Sequence, residues 1–288
     1  MKNFKDGQKN NFKQKKCDLH IHSIFSDSDM SVEDIFKEAK QADLSCISIT
    51  DHDTIDSVKE AQKYSRVYDL EFITGIELSA NYKDSEVHIL GYFIDDTSER
   101  LRSELKKLKD LRLERILDMA GKLDSLGVCV DKEELLLRIG VGIPTRLHLA
   151  LYLLEKNKVK SLQAAFKKYL APGKPAYISR FKFSAEEAIN FIKSYGGVSF
   201  LAHPHMVFDQ DWVEEFISFG LDGLEVIYPT MSSAKSSVYE NFVIKFNLLR
   251  SGGSDTHGSY KKFTGVGMTS IPYDWVQEMK KCLRIPTT

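Results

Sequence analysis

Short β-rich runs alternate with segments of helical periodicity along most of the chain, and this alternation limits the fold more than any other feature. The runs with strand character are CDLHI (17–21), CISIT (46–50), FITGIEL (72–78), VHILGYF (87–93), VSFLA (198–202), part of LDGLEVIY (221–228) and LLRSGG (248–253). Helical signals fall between or after them, at 31–42, 54–69, 184–194, 212–219, 232–246 and 273–283. Strands that alternate with helices predict a parallel sheet, either open or closed as a barrel.

The alternation stops between about 97 and 180, where the pattern is helical. Apolar residues keep roughly helical spacing through a charged stretch, at Leu101, Leu105, Leu108, Leu111, Ile116, Met119 and Leu123. We expect Pro144 to begin a second helix and 161–170 to form a third. The predicted organisation is a disordered tail at 1–15, a β/α barrel at 16–96 and 181–288, and a helical insertion at 97–180 that covers the active site.

Charge and composition exclude several classes of function. The 288 residues carry 40 Lys and Arg against 41 Asp and Glu, a formal net charge of -1. That balance argues against bulk binding of duplex nucleic acid or of an anionic membrane. No apolar run is long enough to span a membrane. The first residues contain no apolar signal core, so we do not expect secretion through a signal peptide. The four cysteines form no CxxC pair, so we expect free thiols and a cytoplasmic protein.

Imidazole and carboxylate side chains lie near the ends of nearly all the predicted strands. They are His20, His22, Asp27, His52, Glu77, His88, His203, Asp255 and His257. The carboxyl ends of strands line the active site in barrels and open α/β sheets, so these side chains are expected to converge on one cavity. Six of the eight histidines belong to this set.

The chemistry of these side chains predicts a metal centre. Residues two apart on a strand face the same side, so His20 and His22 can hold one cation. Neutral imidazole and carboxylate suit Mn, Zn or Fe. Nine such groups exceed what one ion uses, so the sequence predicts two or three divalent metal ions. One carboxylate would then bridge, and Glu77 is the best placed.

Six motifs carry a family resemblance: DLHIHSIFSD, TDHDT, GIELS, VHILGYF, LAHP and GGSDTHG. In this order they resemble the PHP (polymerase and histidinol phosphatase) family of phosphoesterases. The resemblance implies a distorted (β/α)7 barrel with a small helical insertion subdomain and a trinuclear metal site. It implies three ligand sets: His20, His22, Glu77 and Asp255 for one ion; Asp27, His52 and His257 for a second; Glu77, His88 and His203 for a third.

The insertion resembles one subgroup of that family. IPTRLHLALYLLEK, AAFKKYLAPGKPAYISR and GLDGLEVIYP are similar to stand-alone enzymes that act on nucleoside 3′,5′-bisphosphates, some of which also trim short RNA from its 5′ end. The resemblance implies hydrolysis of a phosphate monoester, most plausibly the 3′-phosphate, by attack of a metal-activated hydroxide. Two alternatives stay open: another phosphomonoesterase, such as a histidinol-phosphate phosphatase, or a non-catalytic metal-binding module.

The remaining groups of the substrate need donors and a surface for stacking. Arg146, Lys174 and Arg180 are candidates for a phosphate or sugar, and Tyr177 and Tyr228 for a base. The expected partner is a small phosphorylated nucleotide or a short oligonucleotide, and the oligomeric state is left open.

Three residues are predicted to act in the reaction itself. They are Glu77 and Asp255, as metal ligands, and His205, as a donor or leaving-group acid.

Overall fold

One eight-stranded sheet organises the computed structural model, which describes residues 14–83, 85–179, 183–206 and 211–286. The strand order is β7-β6-β5-β4-β3-β2-β1-β8. The strands are β1 (Lys16–Ile21), β2 (Cys46–Ile49), β3 (Glu71–Tyr82), β4 (Ser85–Tyr92), β5 (Val198–Leu201), β6 (Gly223–Ile227), β7 (Leu249–Gly252) and β8 (Ile271–Pro272). Nearly all of the predicted tail, residues 1–13, lies outside the described residues.

The sheet is mixed, so the prediction of a parallel sheet is wrong at three pairings. The neighbours β1–β2, β2–β3, β5–β6 and β6–β7 are parallel, but β3–β4, β4–β5 and β1–β8 are antiparallel. Only two residues separate Tyr82 from Ser85. A connection that short can join only antiparallel strands, since a parallel pair needs a crossover of a dozen or more residues.

The two ends of the sheet approach each other, and the sheet is a nearly closed barrel. The backbone N–H of His22 donates to the carbonyl of Thr256 at 3.0 Å, and that of Asp255 donates to the carbonyl of His20 at 2.7 Å. The segment after β7 therefore bonds to β1. The predicted β/α barrel is confirmed, with the two-residue β8 added beside β1.

The helices follow the predicted positions closely. Those that surround the barrel are α1 (Val32–Gln41), α2 (Val58–Tyr68), α7 (Ala185–Ser194), α8 (Asp211–Ser218), α9 (Ser233–Phe246) and α10 (Tyr273–Cys282). The side chain of Ser31 accepts a hydrogen bond from the backbone at the N-terminus of α1, and that of Ser184 does the same for α7. Both serines are the N-caps that the sequence predicts. None of the described helices combines the length and apolar character needed to cross a membrane.

Between the barrel strands β4 and β5 the chain forms a helical unit with its own core. It contains α3 (Glu99–Ser125), α4 (Lys132–Ile139), α5 (Arg146–Glu155) and α6 (Leu162–Ala165), which continues as a π-helical turn (Phe166–Leu170). Buried side chains from all of these segments form one hydrophobic cluster, the insertion core. The insertion is therefore helical as expected, and its boundaries at 97 and 180 stay predictions.

Three details of the insertion differ from expectation. Leu111 is 48% exposed, because the buried face of α3 passes through Arg112 instead. Pro144 precedes the N-cap Thr145 and lies outside α5. The short helix α4, which begins after Asp131, was not predicted; the Asp131 carboxylate accepts hydrogen bonds from the backbone at its start.

Candidate metal centre

All nine predicted ligand residues meet at one end of the barrel. His20 lies in β1, Glu77 in β3 and His88 in β4, and the other six lie in the loops after β1, β2, β5 and β7. The ligand atoms of eight of them, all except His203, fall into three overlapping groups. Within each group all atoms lie within 4.8 Å of one another: His20, His22, Glu77 and Asp255; His22, Asp27, His52 and His257; His52, Glu77 and His88.

The first group has the composition that the resemblance implies. Its two imidazoles both face the same two carboxylates. His20 Nε2 lies 3.4 Å from Glu77 Oε2 and 3.4 Å from Asp255 Oδ1. His22 Nε2 lies 3.2 Å from each of the same two oxygens. Two histidine nitrogens and two carboxylate oxygens thus surround one small space.

The second and third groups differ slightly from the implied sets. His22 joins the second group, since its ring lies 4.1 Å from that of His257. His203 is absent from the third group, where His52 takes its place. His203 still approaches through the same carboxylate, because its Nε2 lies 3.1 Å from Glu77 Oε1.

Glu77 occupies the centre of the cluster. Its Oε1 lies 3.0 Å from His88 Nδ1, while its Oε2 lies 3.3 Å from His52 Nδ1. Its side chain is only 1% exposed. The two oxygens of this carboxylate thus face histidines from all three groups.

The donor atoms fit divalent metal ions. Among the described residues, four buried cluster atoms make no hydrogen bond: His20 Nε2, His22 Nε2, His52 Nδ1 and Asp27 Oδ1. An unsatisfied buried polar atom carries a desolvation cost of about 1–3 kcal/mol. Metal coordination would satisfy all four atoms at once, and imidazole with carboxylate is a donor set for Mn, Zn or Fe.

The surroundings keep the carboxylates ionised, as metal ligands must be. Burial acts to raise the pKa of Asp255, but His20 and Lys261 outweigh burial and hold it well below its usual range. Burial acts in the same way on Glu77, and His52 and His88 outweigh it, so this pKa is also lowered.

One glycine and two residues with positive φ shape the loops that carry the candidate ligands. A Cβ on Gly253 would lie 2.4 Å from the backbone nitrogen of His20, so only glycine allows the segment after β7 to pass this close to β1. His203 and Asp255 both have positive φ, 31° and 45°. Such backbone strain in residues other than glycine persists only where surrounding contacts fix it, and it clusters at functional sites.

Glu225 fixes two of the candidate ligand residues, His20 and His203. Its Oε1 lies 2.9 Å from Nδ1 of His20, and its Oε2 accepts a 2.6 Å hydrogen bond from the backbone N–H of His203. It is completely buried in β6. It was not among the predicted site residues, although a glutamate within the apolar strand GLEVI is a signal that sequence reasoning can use.

A cationic cavity of about 110 Å³ adjoins the cluster. His52 and His88 line it on the cluster side, and Arg112, Arg115 and Arg146 line it from the insertion. We call it the arginine cavity. Of the three arginines only Arg146 was predicted. Positions 112 and 115 continue the 101, 105, 108 spacing of α3, so arginines on an otherwise apolar stripe were the missed signal.

Glu86 lies beside two of the three arginines of this cavity. Arg146 Nη2 lies 2.9 Å from Glu86 Oε2, and Arg115 Nη2 lies 3.6 Å from the same oxygen. Burial opposes ionisation of Glu86, but Arg146 and His88 outweigh burial and lower its pKa. The ring of Tyr177 lies 5.6 Å from the guanidinium carbons of both arginines.

The other predicted substrate residues lie in varied places. Tyr228 is buried, and its hydroxyl donates to Asp255 Oδ2 at 2.6 Å and accepts from Lys261 at 2.8 Å. Its ring is therefore fixed beside a candidate ligand. Lys174 lies on an exposed turn. Arg180 lies outside the described residues.

His205 packs against the cluster from outside. Its ring centroid lies 4.8 Å from that of Tyr228, and its Nε2 lies 3.2 Å from Thr230 Oγ1. Burial, with the neighbouring His203, lowers the pKa of His205 to about 4. The imidazole is therefore uncharged at neutral pH.

Comparison with known proteins gives consistent results. The family model for the PHP domain matches residues 18–162. A 5′-3′ exoribonuclease of Haemophilus influenzae is 32% identical over 250 residues, 84% of this chain and 90% of the relative. A 3′,5′-nucleoside bisphosphate phosphatase of Chromobacterium violaceum is 29% identical over 266 residues, 88% of this chain and 90% of the relative.

Solved structures agree over nearly the whole chain. A candidate metal-dependent phosphoesterase of Bifidobacterium adolescentis has a TM-score of 0.85 and 27% identity, and the match covers 93% of this chain and 96% of that one. A structure from Chromobacterium violaceum, named an amidohydrolase, has a TM-score of 0.83 and 28% identity and covers 92% and 96%.

Proposed function

Because the chain belongs to the PHP family of metal-dependent phosphoesterases, we propose that it removes the 3′-phosphate of nucleoside 3′,5′-bisphosphates. Hydrolysis of phosphate esters is the activity of its family. The identity of the substrate rests on one observation: the arginine cavity shares His52 and His88 with the metal cluster. A substrate with one phosphate at the metals could therefore place a second phosphate among the guanidinium groups.

The nine residues of the cluster are the proposed ligands of two or three ions of Mn, Zn or Fe. Ions bound there would lower the pKa of a bound water and neutralise phosphoryl oxygens. The protein fixes its ligands through groups around them: Glu225 orients His20, and Tyr228 with Lys261 holds Asp255 Oδ2. Glu77 and Asp255 would act as ligands. His205, whose imidazole is uncharged, would serve as the predicted hydrogen-bond donor through its ring N–H rather than as an acid.

Arg146 is the proposed clamp for the phosphate that does not react. A guanidinium can bind a phosphate with two parallel hydrogen bonds. Arg146 is 20% exposed and already beside Glu86, so an incoming phosphate has to compete with that carboxylate. Arg115, on the same carboxylate, would add a second cation. Tyr177 supports both arginines through its ring.

Short RNA with a 5′-phosphate is a second candidate substrate. The relative from Haemophilus influenzae is named a 5′-3′ exoribonuclease. The first nucleotide of such an RNA has a 5′-phosphate and a phosphate ester on its 3′ oxygen, so its end has the two-phosphate pattern proposed for the small substrate. Histidinol phosphate has only one phosphate and would leave the arginine cavity unmatched.

A hydrolysis panel with Mn²⁺ tests the proposal. It compares adenosine 3′,5′-bisphosphate, a short 5′-phosphorylated RNA, histidinol phosphate and a cyclic nucleotide by release of phosphate or nucleotide. We expect the bisphosphate to have the highest kcat/KM and adenosine 5′-phosphate to be its product. A higher kcat/KM for histidinol phosphate would contradict the assignment.

An arginine variant tests the clamp. Arg146→Ala should raise KM for the bisphosphate far more than KM for p-nitrophenyl phosphate, which has no second phosphate. Arg138→Ala, which removes an ion pair with Glu155 elsewhere in the insertion, is the matched control and should alter neither. Equal losses on both substrates in Arg146→Ala would remove it from the clamp.

The metal ligands have their own test. Asp255→Ala should lose both bound metal, measured by elemental analysis, and nearly all turnover. Full metal content together with normal activity would show that Asp255 is not a ligand.

A further inference from the structure

A second cavity opens from the metal cluster. Its volume is about 540 Å³, and Asp27 and His257 of the cluster form one part of its lining. Most of the remainder is apolar or aromatic, from Leu147, Leu162, Phe166 and Tyr260, and Gln163 and Lys261 complete the lining. We call it the apolar cavity. It lies between the insertion, which supplies the first three of these side chains, and the turn after β7, which supplies Tyr260.

The two cavities meet at the cluster and differ in character. Both are lined by Asp27, Leu147 and Phe166. The arginine cavity, at about 110 Å³, is far below the roughly 300 Å³ at which sites for drug-sized molecules begin. It admits a group such as a phosphate. The apolar cavity, at about 540 Å³, lies within the range of small-molecule sites.

We propose that the apolar cavity binds the nucleobase of the substrate, with Phe166 and Tyr260 as its aromatic contacts. This inference rests on the proposed function, since it requires a phosphate ester at the cluster. The organic part of such an ester can extend from the cluster into either of these two cavities. Of the two, as lined by the described residues, the apolar cavity is the one large enough for a base, and it has two aromatic side chains in its lining.

Phe166 is suited to this role by its position. It is the first residue of the π-helical turn that follows α6, and its side chain is half-buried on the edge of the insertion core. π-helical geometry occurs often at functional sites. The ring of Phe166 therefore reaches both cavities while its helix stays attached to the core.

The tyrosines predicted for stacking are engaged elsewhere. Tyr228 is fixed by hydrogen bonds to Asp255 and Lys261, and Tyr177 lies against Arg115 and Arg146. Stacking accepts every base, since each has a π-face. The cavity should therefore bind all four nucleobases with similar strength, as an enzyme that acts on successive nucleotides requires.

Two substrates that differ only in the base provide the test. One is adenosine 3′,5′-bisphosphate, and the other is 1,4-anhydroribitol 3,5-bisphosphate, which has both phosphates and the sugar ring but no base. We expect Phe166→Ala to lower kcat/KM for the nucleotide by about 5- to 150-fold, the range that base–aromatic stacking gives on alanine substitution. The value for the base-free compound should stay within about twofold.

Controls separate stacking from folding. Val159→Ala removes packing from the same insertion core but lies outside the described lining of both cavities, so it should change neither value. Tyr260→Ala, on the opposite side of the cavity, should reproduce the selective loss without affecting the insertion core. Thermal unfolding of each variant measures its stability.

Each outcome has one meaning for the proposal. A selective loss on the nucleotide in Phe166→Ala and Tyr260→Ala supports it. Equal losses on both substrates, or a wild-type enzyme that hydrolyses them equally well, would overturn the nucleobase site while the proposed function stands. Failure of the wild-type enzyme to hydrolyse either bisphosphate would instead overturn the proposed function.

Discussion

Replacing Glu225 by glutamine tests whether one buried carboxylate orients the histidines of the metal cluster. The carboxylate accepts from two donors at once: the Nδ1–H of His20, at 2.9 Å, and the backbone N–H of His203, at 2.6 Å. With Nδ1 protonated, Nε2 of His20 keeps the lone pair that faces Glu77 and Asp255. A carboxylate that fixes the tautomer of a ligand histidine is a common feature of metal sites.

Glutamine has nearly the same shape but cannot make both contacts. If its oxygen faces the backbone N–H of His203, its amide donates to Nδ1 of His20, which moves the ring proton to Nε2 and prevents coordination. If its oxygen faces His20, two N–H groups oppose each other at His203. Glu225 is completely buried, so water cannot relieve either arrangement.

The expected loss follows from comparable sites. Removing such an orienting partner lowers metal affinity by about 10- to 100-fold, which is about 1.4–2.8 kcal/mol at 25 °C. The ion held by Asp27, His52 and His257 should keep its affinity, because none of these residues makes a contact described for Glu225. We therefore expect partial metal loss rather than an empty site.

Competition with a chelator of known affinity, followed by elemental analysis, measures the change. Asp222→Asn is the matched control: Asp222 also accepts a backbone N–H, from Ser199 at 2.9 Å, but it contacts no residue of the cluster among its described bonds. Metal affinity of Glu225→Gln within twofold of wild type would refute the reasoning. An equal loss of metal affinity in Asp222→Asn would show that disturbing the sheet, rather than losing the contact with His20, causes the effect.

Three further substitutions test other parts of the structure. Arg112→Ala removes the buried ion-pair partner of Asp53 and should lower the free energy of unfolding, measured in urea, by about 3–5 kcal/mol. Its control is Arg100→Ala, which breaks an exposed ion pair on the same helix and should lower that free energy by at most about 0.5 kcal/mol. Gly253→Ala places a Cβ 2.4 Å from the backbone nitrogen of His20 and should lower both the free energy of unfolding and the metal content. Its control is Gly121→Ala, in an open part of α3, which should raise the free energy of unfolding by about 0.5–1 kcal/mol. Burial raises the pKa of Asp18 to about 6, so the folded metal-free protein binds this proton more tightly than the unfolded chain does and loses about 3 kcal/mol of stability as the pH rises from about 4 to about 6. Asp18→Asn should remove that slope, and an unchanged slope would exclude Asp18 as its source.

The placement of the cluster could be predicted because it depends on local signals. Each strand is a short apolar run, and each candidate ligand lies in it or shortly after it, so the sequence indicates where the side chain emerges. His88 needed nothing more than its position in VHILGYF. The antiparallel direction of β4 was missed even though its signal was local. Only eight residues, 79–86, separate the runs FITGIEL and VHILGYF, and this is too short for the crossover that a parallel pair needs.

The parts that were missed depend on contacts between distant segments. Arg112 pairs with Asp53, a partner 59 residues away, and Glu225 pairs with His20, 205 residues away. No local pattern assigns such partners. What the sequence does contain is a contradiction: an arginine on the apolar stripe of a helix, or a glutamate within an apolar strand. A buried charge needs a partner, so each contradiction predicts a contact without naming it.

The candidate ligands and the residues proposed to contact the rest of the substrate lie on different parts of the chain. All nine candidate ligands lie on the barrel, whereas Arg112, Arg115, Arg146 and Phe166 lie on the insertion. On the proposed function, the barrel residues would hold the ions at which a phosphate ester is hydrolysed. The insertion residues would then select the ester, because they line a large part of both cavities. The near-neutral net charge does not reveal this arrangement: carboxylates lie within the candidate metal cluster, and the arginines lie beside it, where they could meet the anionic end of a small substrate.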